Sequence, residues 1–251
     1  MKINENKICY IFDLDGTLSE PRKKVEKKNK DFFLQWANNK QCFICTGSDF
    51  RKVKQQVDQE MLDKFMAIFC CMGNSTHTSA GGEIRKVNFM VPDDLNLLLE
   101  EFMVKSKFPY RTGNHFEVRP GMLNFSIVGR DATSEQRQEY KEFDEQNLER
   151  VMIAKVINEE YSDLEASIGG SISIDIIPKG RDKGQVVSFL RSSGAEKIVF
   201  VGDRCFPGGN DHGIIRELKK SDMAFEWYNV SSVKETYTLI KENKVFLDGE
   251  T

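Results

Sequence analysis

The chain has 251 residues and a formal net charge of −3, and 39% of its residues are hydrophobic while 30% are charged. This composition is typical of a globular protein, and the small negative charge argues against nucleic acid or an acidic membrane surface as the main partner. No apolar run approaches the roughly 20 residues of a membrane-spanning helix, and residues 1–7 lack the apolar segment of a secretion signal.

The cysteines and the C-terminus bear on the compartment. The six cysteines do not form the paired spacing of a zinc site, and Cys9, Cys42 and Cys45 lie within apolar runs. We expect these thiols to pack as small core residues in a reducing compartment. Residues 248–251 read DGET, which is not the peroxisomal address SKL, so the expected location is the cytoplasm.

The first third of the chain alternates short apolar runs with longer amphipathic segments. Strands are predicted at 8–13, 42–47 and 67–73, and helices at 29–39 and 49–62. A βαβαβ order of this kind predicts a parallel sheet with helices on its faces.

The pattern changes after about residue 84 and returns near the end. The middle is predicted to hold strands at 115–120, 122–130 and 171–178 and one long helix at 133–157. The last segment is predicted to hold strands at 197–203 and 223–230 and a helix at 232–243. We therefore expect an α/β catalytic core, residues 1–84 and 182–251, interrupted by an inserted α+β domain, residues 85–181.

Polar side chains lie at the ends of three of the predicted core strands. Asp13 ends the first strand and Asp15 follows it, Thr46 and Ser48 lie at the end of the second, and Asp203 ends a later one. Ligands of open parallel sheets bind beyond the carboxyl ends of the strands. Clustered carboxylates above an apolar floor need a cation, and oxygen ligands without histidine or cysteine suit Mg²⁺.

These residue types fit phosphoryl transfer. Asp13, beside the cation, would attack a phosphoryl group and form an aspartyl-phosphate. Asp15 would protonate the leaving alcohol and later deprotonate the acceptor. Thr46 or Ser48 would donate a hydrogen bond to the phosphoryl oxygens, and Lys183 would neutralise their charge. The alternative is that the two aspartates form only a strand-ending turn or a helix cap.

Two motifs, FDLDGTL at 12–18 and GDRCFPGGND at 202–211, carry a resemblance to the haloacid dehalogenase superfamily of phosphotransferases. Two stretches of the inserted segment, 111–130 and 167–184, narrow it to the eukaryotic-type phosphomannomutases. The chain resembles this family from about residue 8 to 245. The resemblance implies a Rossmann-like parallel-sheet core with an inserted α+β cap domain.

The resemblance also implies roles for single residues. Asp13 is the implied nucleophile, Asp15 the acid/base and Lys183 the phosphoryl contact. The implied Mg²⁺ ligands are the carboxylates of Asp13 and Asp203 and the backbone carbonyl of Asp15, supported by Asn210 and Asp211. The implied substrate-binding residues are Arg22 in the core and Arg119, Arg130, Arg137, Ser173 and Asp175 in the cap. Arginine suits a phosphate because its planar fork binds two oxygens at once.

The implied activity is a phosphomannomutase that feeds GDP-mannose synthesis. It interconverts mannose 6-phosphate and mannose 1-phosphate, and glucose phosphates too, through an aspartyl-phosphate and a hexose 1,6-bisphosphate that also serves as activator. The cap would close to exclude water, and a homodimer would form through the cap.

Several positions depart from the family pattern, and one departure follows the third strand, where Gly73 and Asn74 stand in place of a Glu-Asn-Gly stretch. Thr46 stands where the family has the first glycine of Gly-Gly-Ser-Asp. A threonine at this position is more like the sugar-phosphate phosphatases of the wider superfamily. Gly213 replaces a glutamate, and Glu217 is a weak stand-in for the ligands of a second cation. Two alternatives therefore stay open: a sugar-phosphate phosphatase of the same superfamily, and a non-catalytic sugar-phosphate binding protein.

Overall fold

The computed structural model describes Ile3 and residues 7–242. Within that range no helix combines the length and the apolar character needed to cross a membrane. The C-terminal residues 248–251 lie outside the described residues, as do most of residues 1–7. The described chain divides into two compact units. The core unit contains the residues up to Lys86, Asp182–Pro207 and the residues from Asp211 onward, and the cap unit contains Val87–Arg181 and Gly208–Asn210.

In the described part of the core unit, one sheet has seven strands: β1 (Ile8–Phe12), β2 (Gln41–Cys45), β3 (Phe65–Cys70), β4 (Ser75–His77), β5 (Glu83–Lys86), β10 (Lys197–Gly202) and β11 (Ala224–Asn229). Their order is β11-β10-β1-β2-β3-β4-β5. The strands from β11 to β3 are parallel, whereas β4 and β5 are antiparallel. The predicted parallel α/β core is therefore confirmed, and the antiparallel pair β4–β5 is an addition that was not predicted.

The central strands are apolar on both faces because helices cover both. Ile11 and Phe43 face an apolar cluster that includes Leu190 and Ile214 from helices on one side. Phe12 faces the other side, where its ring packs edge-on against Phe33. The helices of the core unit are α1 (Lys27–Trp36), α2 (Phe50–Gln56), α3 (Gln59–Leu62), α7 (Gln185–Ser192), α8 (His212–Lys220) and α9 (Val233–Lys241).

The prediction of one helix at 49–62 is wrong, because the segment forms α2 and α3. Val57 has extended backbone angles between them. Asp49 and Asp58 then each cap a helix, and their side chains accept hydrogen bonds from the amides of Lys52 and Met61. A second capping aspartate restarts the helix after the break.

In the described part of the cap unit, four antiparallel strands form a sheet in the order β6 (Phe116–Arg119), β7 (Met122–Phe125), β9 (Ser173–Pro178), β8 (Leu164–Gly169). Phe125, Ile174 and Ala166 lie on one face, in an apolar cluster with helix residues such as Leu99 and Ile153. The helices are α4 (Asp93–Lys105), α5 (Ser134–Asn147) and α6 (Glu149–Glu160). The cap unit is thus α+β, as predicted.

The strand predicted at 122–130 is too long, because β7 ends at Phe125. Directly after the strand, the Ser126 hydroxyl donates a hydrogen bond to the carbonyl oxygen of Ile172. Gly129 has a φ of 88°, and a Cβ there would lie 1.8 Å from the carbonyl oxygen of Thr112. The chain therefore turns at Gly129, where only glycine fits.

The prediction of one helix at 133–157 is also wrong. Leu148 has a left-handed φ of 54° and separates α5 from α6. The carboxylate of Asp144 bridges the break, since it accepts from both the amide and the Nε of Arg150 at 2.8 Å. The Arg150 guanidinium also donates to the carbonyl oxygens of Gly170 and Ser173. This buried ion pair fixes the two helices against the sheet.

Replacing Leu148 by glycine tests the strain at this break. Leu148 is half-exposed, so little apolar burial is lost. We expect Leu148→Gly to raise the free energy of unfolding by about 0.5–1 kcal/mol, because glycine adopts left-handed angles without steric penalty. Urea denaturation measures the change. Leu97→Gly is the control: this exposed leucine lies inside α4, and its replacement should lower the stability by about 1 kcal/mol. Equal destabilisation by both variants would contradict the prediction.

Candidate active site

Three carboxylates meet at the carboxyl edge of the core sheet. Asp13 directly follows β1, and Asp203 directly follows the neighbouring strand β10. Asp211 precedes α8. One carboxylate oxygen from each of the three lies within 4.8 Å of the others. Parallel strands that end together bring these like charges into one small volume.

Lys183 lies among these carboxylates and is fully buried. Its Nζ donates to Asp13 Oδ1 at 2.6 Å and to Asp211 Oδ1 at 2.7 Å. Burial works to lower the pKa of Lys183, but the two carboxylates outweigh it and raise that pKa well above its usual value. Lys183 is therefore the ionised partner on which the buried carboxylates depend.

One lysine does not balance three carboxylates. Burial is the largest cause that raises the pKa of Asp13 well above its usual value; Lys183 opposes it, and the charges of Asp211 and Asp203 add to it. Burial and then the charge of Asp211 raise the pKa of Asp203 to about 6. The site therefore has an excess of negative charge that a cation would relieve.

The oxygen atoms that remain at the site fit a hard divalent cation. Asp203 Oδ1 is buried and has no hydrogen-bond partner within the described residues. Asn210, which the resemblance predicts to support the ion, belongs to the cap unit, and its Oδ1 is likewise buried without a hydrogen-bond partner among the described residues. Both oxygens of Asp211 are already engaged, by Lys183 Nζ and by the amide of Arg204. Carboxylate and amide oxygens are the ligands of Mg²⁺. The residues present thus suit this ion, with Asp211 acting mainly through its charge and its hold on Lys183.

Asp15 is held by two contacts of its own. Its Oδ2 accepts from the Ser48 hydroxyl at 3.1 Å, and its Oδ1 accepts from the amide of Arg22 at 3.2 Å. The guanidinium-bearing residue Arg22 is itself exposed. The intervening Gly16 has a φ of 90°, and a Cβ there would lie 2.6 Å from Asp203 Oδ2. Glycine is therefore needed both for the turn and for the approach of Asp203.

The loop after β2 is fixed by main-chain contacts. Thr46 is buried, and its hydroxyl oxygen accepts from the amide of Ser48 at 3.0 Å. The amides of Cys71 and Met72 donate to the carbonyl oxygens of Ser48 and Thr46, each at 3.0 Å. Cys71 and Met72 both have left-handed angles, with φ of 51° and 63°. Strain of this kind persists only where the surroundings impose it.

The cap unit groups three of the sequence-predicted arginines. The carboxylate oxygen Glu117 Oε2 lies 2.6 Å from Arg119 Nη2 and 3.1 Å from Arg130 Nε. Arg137 donates to the carbonyl oxygens of Arg130 and Ala132. Sequence reasoning missed Glu117, although its spacing of two residues from Arg119 on a strand was a usable signal.

The two polar residues predicted on β9 are both buried. The Ser173 hydroxyl donates to the carbonyl oxygen of Gly169 at 3.1 Å, and Asp175 Oδ1 accepts from Asn124 Nδ2 at 2.6 Å. The strand predicted at 171–178 begins two residues later, at Ser173, so Ser171 precedes it. Asn124 was not predicted, because only the pairing of β7 with β9 brings it beside Asp175.

Glu217, the weak stand-in for a second cation ligand, is already paired. Its Oε1 lies 3.2 Å from Arg216 Nε and 3.1 Å from Lys220 Nζ. Arg216 also contacts the buried Asp182 at 2.7 Å. Two cationic side chains therefore neutralise the carboxylate that a second metal ion would need.

Removing the Lys183 charge tests whether the buried cluster depends on it. Lys183→Met leaves Asp13 and Asp211 without their cation, so we expect the free energy of unfolding to fall by about 3–5 kcal/mol. Urea denaturation in a chelator measures the loss. The control Lys105→Met removes an exposed pair with Glu101, which is expected to change stability by less than about 1 kcal/mol. A Lys183→Met protein as stable as this control would contradict the prediction, and adding Asp211→Asn should recover part of the loss.

Comparison with solved structures supports the fold. N-terminally truncated IMP-nucleotidase from Plasmodium falciparum superposes with a TM-score of 0.61 at 14% identity, over 96% of this chain and 70% of that one. A haloacid dehalogenase-like hydrolase from Bacteroides thetaiotaomicron superposes with a TM-score of 0.54 at 14% identity, over 93% and 98% of the two chains. At this identity the likeness concerns the fold alone, and it confirms the predicted haloacid dehalogenase-type core.

Comparison with sequences is more specific. Phosphomannomutase 1 of Dictyostelium discoideum is 28% identical over 251 residues, covering 96% of this chain and 98% of that protein. The phosphomannomutase of Encephalitozoon cuniculi is 31% identical over 217 residues, covering 84% and 85%. The model of the eukaryotic phosphomannomutase family matches residues 29–244. The resemblance found in the motifs is therefore confirmed, and this chain belongs to the eukaryotic phosphomannomutase family.

Proposed function

We propose that the protein is a magnesium-dependent phosphomannomutase that interconverts mannose 6-phosphate and mannose 1-phosphate, and glucose phosphates as well, with a hexose 1,6-bisphosphate as activator. The observation that carries the proposal is the buried cluster in which Lys183 Nζ contacts Asp13 Oδ1 at 2.6 Å beside Asp203. Membership of the family supports hexose phosphates as the substrate class.

Mg²⁺ would be held by the carboxylates of Asp13 and Asp203 and by the backbone carbonyl of Asp15, with Asn210 and Asp211 in support. The unpartnered buried oxygen of Asp203 supports this assignment within the part of the chain that is described. When bound, the ion would offset the carboxylate repulsion and polarise the phosphoryl group.

The proposed transfer uses two carboxylates in turn. A carboxylate oxygen of Asp13 forms a bond to the phosphorus of the bisphosphate, and the bond between that phosphorus and the sugar oxygen breaks. Asp15, oriented by Ser48 and the amide of Arg22, donates a proton to the leaving oxygen. Asp15 then takes the proton of a hexose phosphate hydroxyl, which accepts the phosphoryl group from Asp13. Lys183 neutralises charge on the transferring group throughout.

In the proposed complex the cap arginines bind the phosphate that does not react. Arg119, Arg130 and Arg137 are grouped in the cap unit, and a guanidinium binds phosphate through two parallel hydrogen bonds. Glu117 orients two of these arginines before substrate arrives. Ser173 and Asp175 would bind sugar hydroxyls, and Arg22 would contribute from the core. The homodimer through the cap, the cytoplasmic location and the supply of GDP-mannose synthesis stay predictions.

A sugar-phosphate phosphatase is the second candidate, and Thr46 is the observation that favours it. Thr46 stands at a position where the family has glycine, and its buried hydroxyl accepts a hydrogen bond from the amide of Ser48. The two activities differ only in whether a sugar or water accepts the phosphoryl group from Asp13. A non-catalytic binding protein does not require the buried pair of Lys183 and Asp13, and burying such a pair costs free energy.

One assay separates the two enzymes. The purified protein is incubated with Mg²⁺ and mannose 1-phosphate, with and without glucose 1,6-bisphosphate, and hexose 6-phosphate and free phosphate are measured together. We expect 6-phosphate that depends on the bisphosphate, little free phosphate, and no turnover by Asp13→Asn. Free phosphate without isomerisation would establish the phosphatase, and wild-type turnover by Asp13→Asn would refute both mechanisms.

Arg130→Ala tests the phosphate-binding role of the cap. Loss of a charged hydrogen bond is worth about 1.5–3 kcal/mol, so we expect KM for mannose 1-phosphate to rise about 10- to 150-fold. The kcat should change less, since the arginine does not touch the reacting atoms. Arg191→Ala is the control, because the described polar contact of the Arg191 side chain is an exposed pair with Asp222 in the core unit. Steady-state kinetics that show equal KM for the two variants would count against the cap assignment.

A further inference from the structure

The cap sheet carries a row of polar side chains that crosses all four of its described strands. The register pairs Glu117 with Asn124, Asn124 with Asp175, and Asp175 with Ser167. Directly paired residues on neighbouring strands project from the same face of a sheet, with Cβ atoms about 4.5–5.5 Å apart. The four side chains therefore stand next to one another on a single face.

This face differs from the other face of the same sheet. The alternate positions of the same strands, such as Leu123, Phe125, Ile174 and Ala166, belong to the apolar cluster under the cap helices. The polar row is thus not required to pack the cap. Burying polar groups costs free energy unless they find partners, so a buried polar row calls for a partner.

Two members of the row lack such a partner. Asn124 is only 3% exposed, and its Oδ1 makes no hydrogen bond to any described residue. The Ser167 Oγ is also buried and makes none within the same residues. Asn124 Nδ2 donates to Asp175 Oδ1, and this bond sets the amide orientation, since a flipped amide would place oxygen against the carboxylate. The free groups are therefore a carbonyl acceptor and a hydroxyl on either side of Asp175.

The chemistry of the row selects a neutral polyol over a cation. Glu117 is occupied by Arg119 and Arg130, and Asp175 is occupied by Asn124, so no free pair of carboxylates remains in the row for an ion. A sugar hydroxyl can both donate to a carbonyl oxygen and accept from a serine hydroxyl.

We propose that Asn124 and Ser167 bind ring hydroxyl groups of the hexose phosphate, on either side of Asp175. This inference rests on the proposed function, since it assigns further specificity residues to the same substrate. The polar row of the cap would then bind the sugar hydroxyls. It begins at Glu117, whose carboxylate contacts Arg119 and Arg130. A site that hydrogen-bonds a substrate hydroxyl discriminates against the analogue that lacks it, because its own polar groups are left unpaired.

The test measures binding and turnover of mannose 1-phosphate and its 2-, 3- and 4-deoxy analogues by the wild-type protein, Asn124→Ala and Ser167→Ala. Each variant should bind the full hexose about tenfold more weakly and lose the wild-type discrimination against one analogue. If a variant binds one deoxy analogue as tightly as the wild-type protein does, the hydroxyl missing from that analogue is the one that the replaced residue binds. Ser167→Ala removes a single oxygen, so it keeps the test valid should Asn124→Ala fold poorly.

Asn158→Ala is the matched control. This amide also lies in the cap unit, but both of its polar atoms bond to the main chain of Ala166. It should leave the discrimination among the four sugars unchanged. If Asn124→Ala and Ser167→Ala weaken all four ligands by the same factor, or weaken none, the row holds only water and the proposal is overturned. Absence of wild-type turnover would instead count against the proposed function. In that case calorimetric measurement of the affinities for the four sugars would still test whether Asn124 and Ser167 bind sugar hydroxyls.

Discussion

The ion contacts of the buried Lys183 are the constraint on which the core depends. An ammonium group without water is costly by several kcal/mol, so it must be matched by carboxylates with good geometry. Asp13 follows β1, Asp211 precedes α8, and Lys183 itself precedes α7. These elements come from distant parts of the chain, and the cluster forms only when they meet. Folding of the core therefore brings these charged groups together.

Each unit has its own charge character. The core cluster combines three carboxylates with one ammonium group, which suits a metal ion. The cap cluster combines Arg119 and Arg130 with the carboxylate of Glu117, and we propose that these arginines bind the phosphate that does not react. In each cluster one group holds two side chains of opposite charge before any ligand binds. Lys183 does so in the core and Glu117 in the cap. Such preorganisation lowers what substrate binding must spend on ordering side chains.

Some of this was readable from the sequence, and the reasons differ by residue. Asp13 and Asp203 could be placed at one sheet edge because buried strands of a parallel sheet end together. The break at Leu148 could not be predicted, because the sequence continues a helical pattern through it and does not reveal the pairing of Asp144 with Arg150 that spans the break. Asn124 and Ser167 join Asp175 through strand register, which a single sequence does not contain.

The left-handed pair Cys71 and Met72 has a consequence for how far the loop after β2 depends on its own side chains. The amides of the pair donate to the carbonyl oxygens of Thr46 and Ser48, so main-chain hydrogen bonds help to hold the loop after β2 in place. A side-chain substitution in this loop therefore leaves these two main-chain hydrogen bonds available, because neither of them involves a side-chain atom.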